Sequence, residues 1–347
     1  MVEYIRTYSQ QLMDHAFDDP QELVSYMGAV QGQDIEMCKW AVGIRLRQPS
    51  LSAVREAIDS GRIIRTHILR PTWHLVSAED IRWMLSLCGE KLRTAYMTSW
   101  WKHYEIDEKI YTRFCDAASK LLTETDGLTV QELTEALSET GWTADQVKCM
   151  LATGEVEGLF CNGRERDRKH TYALLEERVP AVPSLSREEA LALLARKYFR
   201  SHTPASQKDF VWWSGLSITE AKAAIASIGT ELIPDRYEGE KLYVHDSCAK
   251  DGIVCDGVHL IPPYDEYLIS YADRTHVLDP KYKSKAHNNF GIFQPVIYSG
   301  GKIVGNWKKV KSKSGLGIET TFFSKAMTPG KRKLQAAIDR YLEFMRE

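Results

Sequence analysis

Between Lys109 and Leu174 the sequence spells three helical segments followed by two short strands, and the same order recurs between Ser186 and Asp246. In the first copy, Lys109–Thr125 reads as a helix. Thr129–Leu137 reads as a second, with Thr129 and Glu132 at capping-box spacing, and Thr143–Glu157 as a third that starts at the cap residue Thr143. Leu159–Gly163 and His170–Leu174 then form a hairpin whose turn region opens at Asn162-Gly163, with a loop longer than a two-residue link. A linker holding Pro180 and Pro183 separates the copies. Ser186–Arg200 follows with Ser186 and Glu189 as its capping box, then Pro204–Trp213, Ser217–Ser227 and a hairpin over Leu232–Asp246 with Glu238-Gly239-Glu240 at its tip. Three short helices followed by a hairpin make a winged helix, whose third helix can enter a DNA groove. Units of this kind also serve as protein-docking modules, so the repeat alone does not name a partner.

The remaining sequence fits around these copies. Helical patterns cover Pro20–Val30, Asp34–Leu46 and Leu51–Ser60, the last stopped by Gly61; Arg62–Val76 alternates like strands, and Ser77–Asp80 begins another helix. From Gly257 onward strands dominate: Val258–Leu260, Gln294–Tyr298 and Lys302–Trp307, the last two joined at Gly300-Gly301, before a closing helix over Pro329–Met345. The predicted class is α+β, as tandem winged-helix domains with a β-rich C-terminal region and a final helix. The expected domains are 1–105, 106–180, 184–250 and 251–347.

The chain has 347 residues with 44% apolar and 27% charged content, enough for two to three domains with ordinary cores. No window approaches the ~18 apolar residues of a membrane span, and the start lacks the basic-then-apolar pattern of a secretory leader. The seven cysteines are scattered without a CxxC pair, which suggests buried thiols in a reducing cytoplasm and no zinc site. A net charge of −2 rules out a global basic field, so any nucleic-acid contact needs local clustering. Two clusters qualify. Lys302, Lys308, Lys309, Lys311 and Lys313 surround Trp307 without an acid between them, and Arg164, Arg166, Arg168 and Lys169 stand against Glu165 and Asp167. Strand alternation puts several of these bases on one face, which is either a solvated hairpin surface or a DNA ribbon with Trp307, Lys308, Lys309 and Lys311 as contacts.

Side chains with chemistry are few. His67, Arg70 and His74 alternate along one strand-like stretch interrupted by Pro71. They are either ordinary core and surface residues or DNA contacts, with Arg70 on a phosphate; a metal site needs closer spacing on one face. Trp40, Trp100-Trp101 and Trp212-Trp213 have the spacing of core aromatics rather than base-stacking platforms. Asp265, after the stiff Pro262-Pro263, is either a catalytic carboxylate or a turn cap, and the cap is the commoner outcome.

Gln31 and Gln33 flank Gly32 where one helical segment ends and another begins. In a helix, positions i and i+2 diverge by about 200°, whereas an extended segment or turn aims them the same way. Gly32 permits the break, and Asp34 reads as the N-cap of the following helix. Two neutral amides at a helix junction can orient a water or read polar edges, but they are weak bases. The bland alternative is that both simply cap backbone groups.

Several blocks together resemble the AlkZ-like winged-helix family of bacterial DNA glycosylases. They are Ala29–Asp34 with Trp40–Gly43, Ile64–Val76, Tyr198–Ala205, Phe210–Leu216, Leu260–Leu268, Gly291–Val296 and Gly301–Trp307. The resemblance runs in order through nearly the whole chain. It implies tandem winged helices in a C-shape around a DNA channel and excision of alkylated bases, including bulky adducts and some interstrand crosslinks, without a metal or other cofactor. It also maps the family's catalytic Gln-x-Gln pair onto Gln31 and Gln33, although the usually aliphatic middle residue is Gly32 here. The expected partner is double-stranded DNA carrying alkylated bases, bound by a monomer with no membrane attachment. A non-catalytic DNA-binding protein, such as a regulator or a damage-sequestering factor, is the alternative, and a protein-interaction scaffold is a third reading.

Overall fold

The computed structural model describes residues 1–123, 125–237, 239–248, 252–312 and 315–347, so Glu238 and Lys313 of the sequence reading lie outside the described residues. The fold is mixed α+β and divides into two compact units, one formed by Met1–Arg55 with Leu191–Glu347 and the other by Glu56–Ala190. These divisions fall inside two segments read from sequence as single domains, 1–105 and 184–250.

In the unit Glu56–Ala190, the helices Glu108–Thr123, Val130–Ala136 and Ala144–Val156 precede the hairpin Phe160–Asn162/Tyr172–Leu174, in the order read from the sequence. Thr129 and Thr143 both close reciprocal capping boxes, so each helix starts where its side chain satisfies an otherwise orphaned N–H. Phe114, Leu133, Val147, Met150 and Phe160 fill the core between them. Gly154 lets the hairpin approach, because a Cβ there would overlap the Phe160 ring. A second antiparallel hairpin, Ile63–His67/Trp73–Ser77, pairs His67 with Trp73 and Thr66 with His74. Asn162 joins the two hairpins through its Oδ1, which accepts the Arg65 N–H at 2.8 Å. The long helix Ile81–Tyr96 continues into a π-helical turn over Met97–Trp101 that the sequence pattern did not reveal.

The run Arg164–Lys169 differs from the expected strand face. It forms a tight loop, with Asp167 and Arg168 at φ 51° and 61° and Arg166 paired to Lys169. Alternating charges without β-branched or apolar partners give a strand nothing to bury, and Arg166 instead reaches the carboxylate of Glu132.

In the other unit, four antiparallel strands lie in the order Gly315–Phe322, Lys302–Ser312, Val296–Ser299, Val258–Ile261. The closing helix Lys331–Phe344 contributes Tyr341 and Phe344 to a core with Trp40, Leu260, Val296 and Trp307. Trp40 and Trp307 each donate an indole N–H to a carbonyl of the same strand, Leu260 at 2.7 Å and Ile261 at 2.8 Å. Helices Gln207–Ser214 and Ile218–Ser227 and the hairpin Leu232–Tyr237/Glu240–His245 belong to the same unit, as does most of helix Arg187–His202. Pro204, read as the start of the helix Gln207–Ser214, precedes it, and the helix's cap is Ser206.

Candidate active site

The glutamine segment follows helix Pro20–Met27, which ends at Gly28 with φ 79°. A side chain at Gly28 would be strained and would press on Lys197 Cβ at 3.3 Å and Trp213 Cη2 at 3.4 Å, so this glycine makes the turn into the motif. Val30–Gln31 is a two-residue strand, and Gln33 lies in the bend before helix Met37–Gly43. The two amides are in different environments: Gln31 is buried at 4% exposure, while Gln33 is exposed. Asp34 Oδ1 accepts the backbone N–H groups of Glu36 and Met37, both at 3.0 Å. It acts as the cap expected of it, with the regular helix beginning later than the pattern suggested.

Glu266, which the sequence reading passed over, anchors the buried glutamine. Its side chain is fully buried, and Oε1 accepts the Gln31 backbone N–H at 2.6 Å. Oε2 accepts the Trp213 indole N–H at 3.1 Å and the Ser270 hydroxyl, and His202 Nε2 lies 3.5 Å away. Burial lowers the His202 pKa against the opposing pull of Glu266, which keeps the ring neutral near pH 7. The ring stacks on Tyr198 with centroids 4.9 Å apart. One residue earlier, Asp265 caps Glu266–Ile269 and forms a buried two-point pair with Arg45 at 2.7 and 2.8 Å. Asp265 is therefore the cap anticipated from the sequence, and Asp265-Glu266 together fix one end of the glutamine strand. The signal available in sequence was two adjacent acids inside an otherwise apolar Leu260–Leu268 block.

His67, Arg70 and His74 do not form one cluster. In the register of their hairpin, His67 shares a face with Trp73, whereas His74 opposite Thr66 points to the other face. His74 is fully buried, with Nδ1 3.0 Å from the Thr72 carbonyl, so the DNA contact expected of it is overturned by its burial. His67 Nδ1 lies 2.6 Å from Glu155 Oε2, and its ring lies 4.0 Å from that of Trp73. Burial raises the Glu155 pKa, opposed by the charge and hydrogen bond of His67. Glu155 was absent from the sequence reading because a glutamate inside a helix normally faces water. Arg70 is half-buried and follows Leu69, whose φ is 63°.

Trp307 also departs from its expected DNA role. It is 3% exposed and edge-on to Tyr341 at 4.8 Å, so its face is unavailable to a base. The pattern misled because this strand is longer than its buried part: Lys302–Ser312 pairs with Gly315–Phe322 along its outer half, where Lys308, Lys309 and Lys311 are exposed. Lys308 meets Glu319 at 3.0 Å across the pair, and Lys309 and Lys311 share the opposite face. Among the described residues no three His, Cys, Asp or Glu side chains lie close enough together to hold a metal.

A family model described as DNA glycosylase AlkZ-like matches residues 24–344. A relative from Streptomyces sahachiroi, named interstrand DNA cross-link repair glycosylase, is 24% identical over 307 residues, covering 83% of this chain and 82% of its own length. The solved structure of the Streptomyces sahachiroi DNA glycosylase AlkZ matches with a TM-score of 0.82 at 20% identity, covering 99% of this chain and 95% of that one.

Proposed function

The chain belongs to the AlkZ-like DNA glycosylase family, and from that premise we propose that it hydrolyses the N-glycosidic bond of cationic alkylated purines in DNA, with Gln33 and Gln31 as the catalytic amides. The observation that carries the reading is the asymmetry of the pair: Gln31 is locked through its backbone to a buried carboxylate, while Gln33, two residues on, is open to solvent.

Glycoside hydrolysis passes through an oxocarbenium-like transition state, which enzymes commonly stabilise with carboxylates. An N7- or N3-alkylated purine already carries positive charge and leaves as a neutral base, so acid assistance is needed little. What remains is to hold a water and to stabilise the developing sugar cation. The Gln33 amide oxygen can accept a hydrogen bond from that water and turn its negative dipole end toward the sugar. Gln31 supplies the fixed end of the segment from which Gln33 projects. The nearby carboxylates are committed elsewhere: Asp34 to its cap, Asp265 to Arg45 and Glu266 to its buried donors. Reliance on amides confines the enzyme to labile adducts. The name of the Streptomyces relative supports extending the substrates to interstrand crosslinks.

The three-helix and hairpin arrangement of 106–180 supports a winged-helix reading for that segment, and we assign DNA backbone contacts to Lys309, Lys311 and Arg70. Lys308 belongs to the same ribbon but shares its charge with Glu319. The protein acts on duplex DNA as a monomer. A binder without catalysis is the second reading, favoured by the exposed lysines, which need no chemistry to attract a duplex. Incubating the protein with DNA carrying small and bulky N7-alkylguanines, followed by alkaline cleavage of abasic sites, tests the proposal. Strand breaks at the adducts are expected; none across the panel would leave only the binder.

A further inference from the structure

The unit Glu56–Ala190 holds a cavity of about 600 Å³ that takes no part in the glutamine site, a volume within the range of small-molecule sites. Its walls combine aromatic faces with cations. Trp100, from the π-helical turn, stacks one face on Tyr96 with centroids 4.6 Å apart and planes within 6°. Trp100 is nevertheless 39% exposed and lines the cavity, so it offers a rigid platform backed by a second ring. Trp73 is already occupied, with the Arg65 guanidinium 4.0 Å over its ring and the His67 ring 4.0 Å away.

The charge around the cavity is positive. Arg65, Lys148 and Lys169 line it, and the one acid among the described lining residues, Asp145, is paired with Lys148 at 3.0 Å. Gln131 adds an amide at the wall, and His67 presents a ring whose Nδ1 is held by Glu155. A π platform beside an excess of cations suits a planar ring that carries an anion. The lining cations repel a positively charged ring, so the cavity is unsuited to an alkylated purine that is still joined to its sugar and carries the charge.

We propose that this cavity binds a nucleotide, with an undamaged base stacked on Trp100 and its phosphate held by Lys169 and Arg65. The nucleotide comes either from solution or from an unpaired position in a strand. The inference is independent of the glutamine reading, since it uses none of those residues and predicts binding rather than turnover.

Calorimetric titration of the full chain tests it, with dAMP, deoxyadenosine, the cationic nucleoside N7-methylguanosine, phenyl phosphate and a single-stranded tetranucleotide. Saturable dAMP binding is expected, with both nucleosides weaker. Trp100→Ala should weaken dAMP by about fivefold to a hundredfold, the range measured for loss of base–aromatic stacking. Lys169→Glu, in an exposed loop where folding is not at stake, should weaken it by about threefold, and more at low salt. Gln33→Ala should leave dAMP binding unchanged. A tetranucleotide that binds more tightly than dAMP identifies a strand as the source, and one that binds no better identifies the free nucleotide. The proposal is overturned if neither dAMP nor the tetranucleotide binds at millimolar concentration. It is equally overturned if both substitutions leave affinity unchanged, or if phenyl phosphate binds as tightly as dAMP.

Discussion

Replacing Glu266 by glutamine changes one oxygen to an NH₂ group with almost no change of shape, yet it should damage both the fold and the reaction. The carboxylate serves the Gln31 N–H at 2.6 Å through one oxygen, and the Trp213 indole N–H at 3.1 Å and the Ser270 hydroxyl through the other. A hydroxyl can rotate to accept, but the two N–H groups cannot. Whichever way the new amide is turned, one of them faces another donor and loses its acceptor in a fully buried site. An orphaned buried N–H costs about 1–3 kcal/mol, and the surviving bond loses the strengthening that an ionised acceptor gives. The sum is roughly 2–4 kcal/mol, or about 5–15 °C in Tm for a unit of this size. The consequence for the reaction is positional. The Gln31 end of the segment is released, and a displacement of about 1 Å at a catalytic group costs on the order of a hundredfold in rate. Calorimetric melting and single-turnover base release, the latter well below the melting point, read the two effects separately. A Glu266→Gln protein with unchanged Tm would refute the hydrogen-bond argument. A lowered Tm with unchanged release would refute the link from Glu266 to the glutamines.

The buried Arg45–Asp265 pair should respond more strongly: Asp265→Ala strands the guanidinium and should cost about 3–5 kcal/mol in denaturant unfolding. Trp307→Ala should lower stability by about 3–5 kcal/mol through cavity formation, without changing the salt dependence of DNA binding. Lys309→Glu with Lys311→Glu should do the reverse, leaving stability near wild type while reducing the salt slope of DNA affinity by about two; an unchanged slope removes the ribbon from the interface. Acid should destabilise the strand-rich unit through His259, whose pKa burial and the nearby Arg340 push down to about 3. The unfolded ring takes up a proton near pH 6.5 that the folded ring refuses until about pH 3, so stability falls as the pH drops through that window. A His259→Gln protein should show a shallower decline, measured as the midpoint of urea unfolding between pH 7 and pH 4.

The helices and caps were legible in the sequence because their information is local. Thr129 and Ser186, read as capping boxes, and Thr143, read as a cap, each accept the N–H three residues on. Strand identity was legible where apolar residues alternate and failed at Arg164–Lys169, where charge alternation imitates a strand without anything to bury. Burial was the less visible quantity. Trp307 stands among lysines in sequence but beneath a helix in space, and His74 differs from His67 by the face of one hairpin. Gln31 and Gln33 drew attention through their spacing and the family resemblance. Glu266 could not be found that way, because its importance lies in a hydrogen bond to a residue 235 positions earlier in the chain. The π-helical turn that exposes Trp100 has no sequence signature either, since it is a local widening of a continuous helix.

In the proposed reaction the exposed amide of Gln33 takes part in breaking the glycosidic bond and does not merely help hold DNA. Single-turnover release of N7-methylguanine from a defined duplex, compared between the unaltered protein and Gln33→Ala, tests it most directly when duplex affinity is measured in the same buffer. Release should fall by at least about a hundredfold, the scale of losing one transition-state dipole, with affinity unchanged. Release at the unaltered rate, or a fall matched by an equal loss of affinity, would rule out a catalytic role for Gln33.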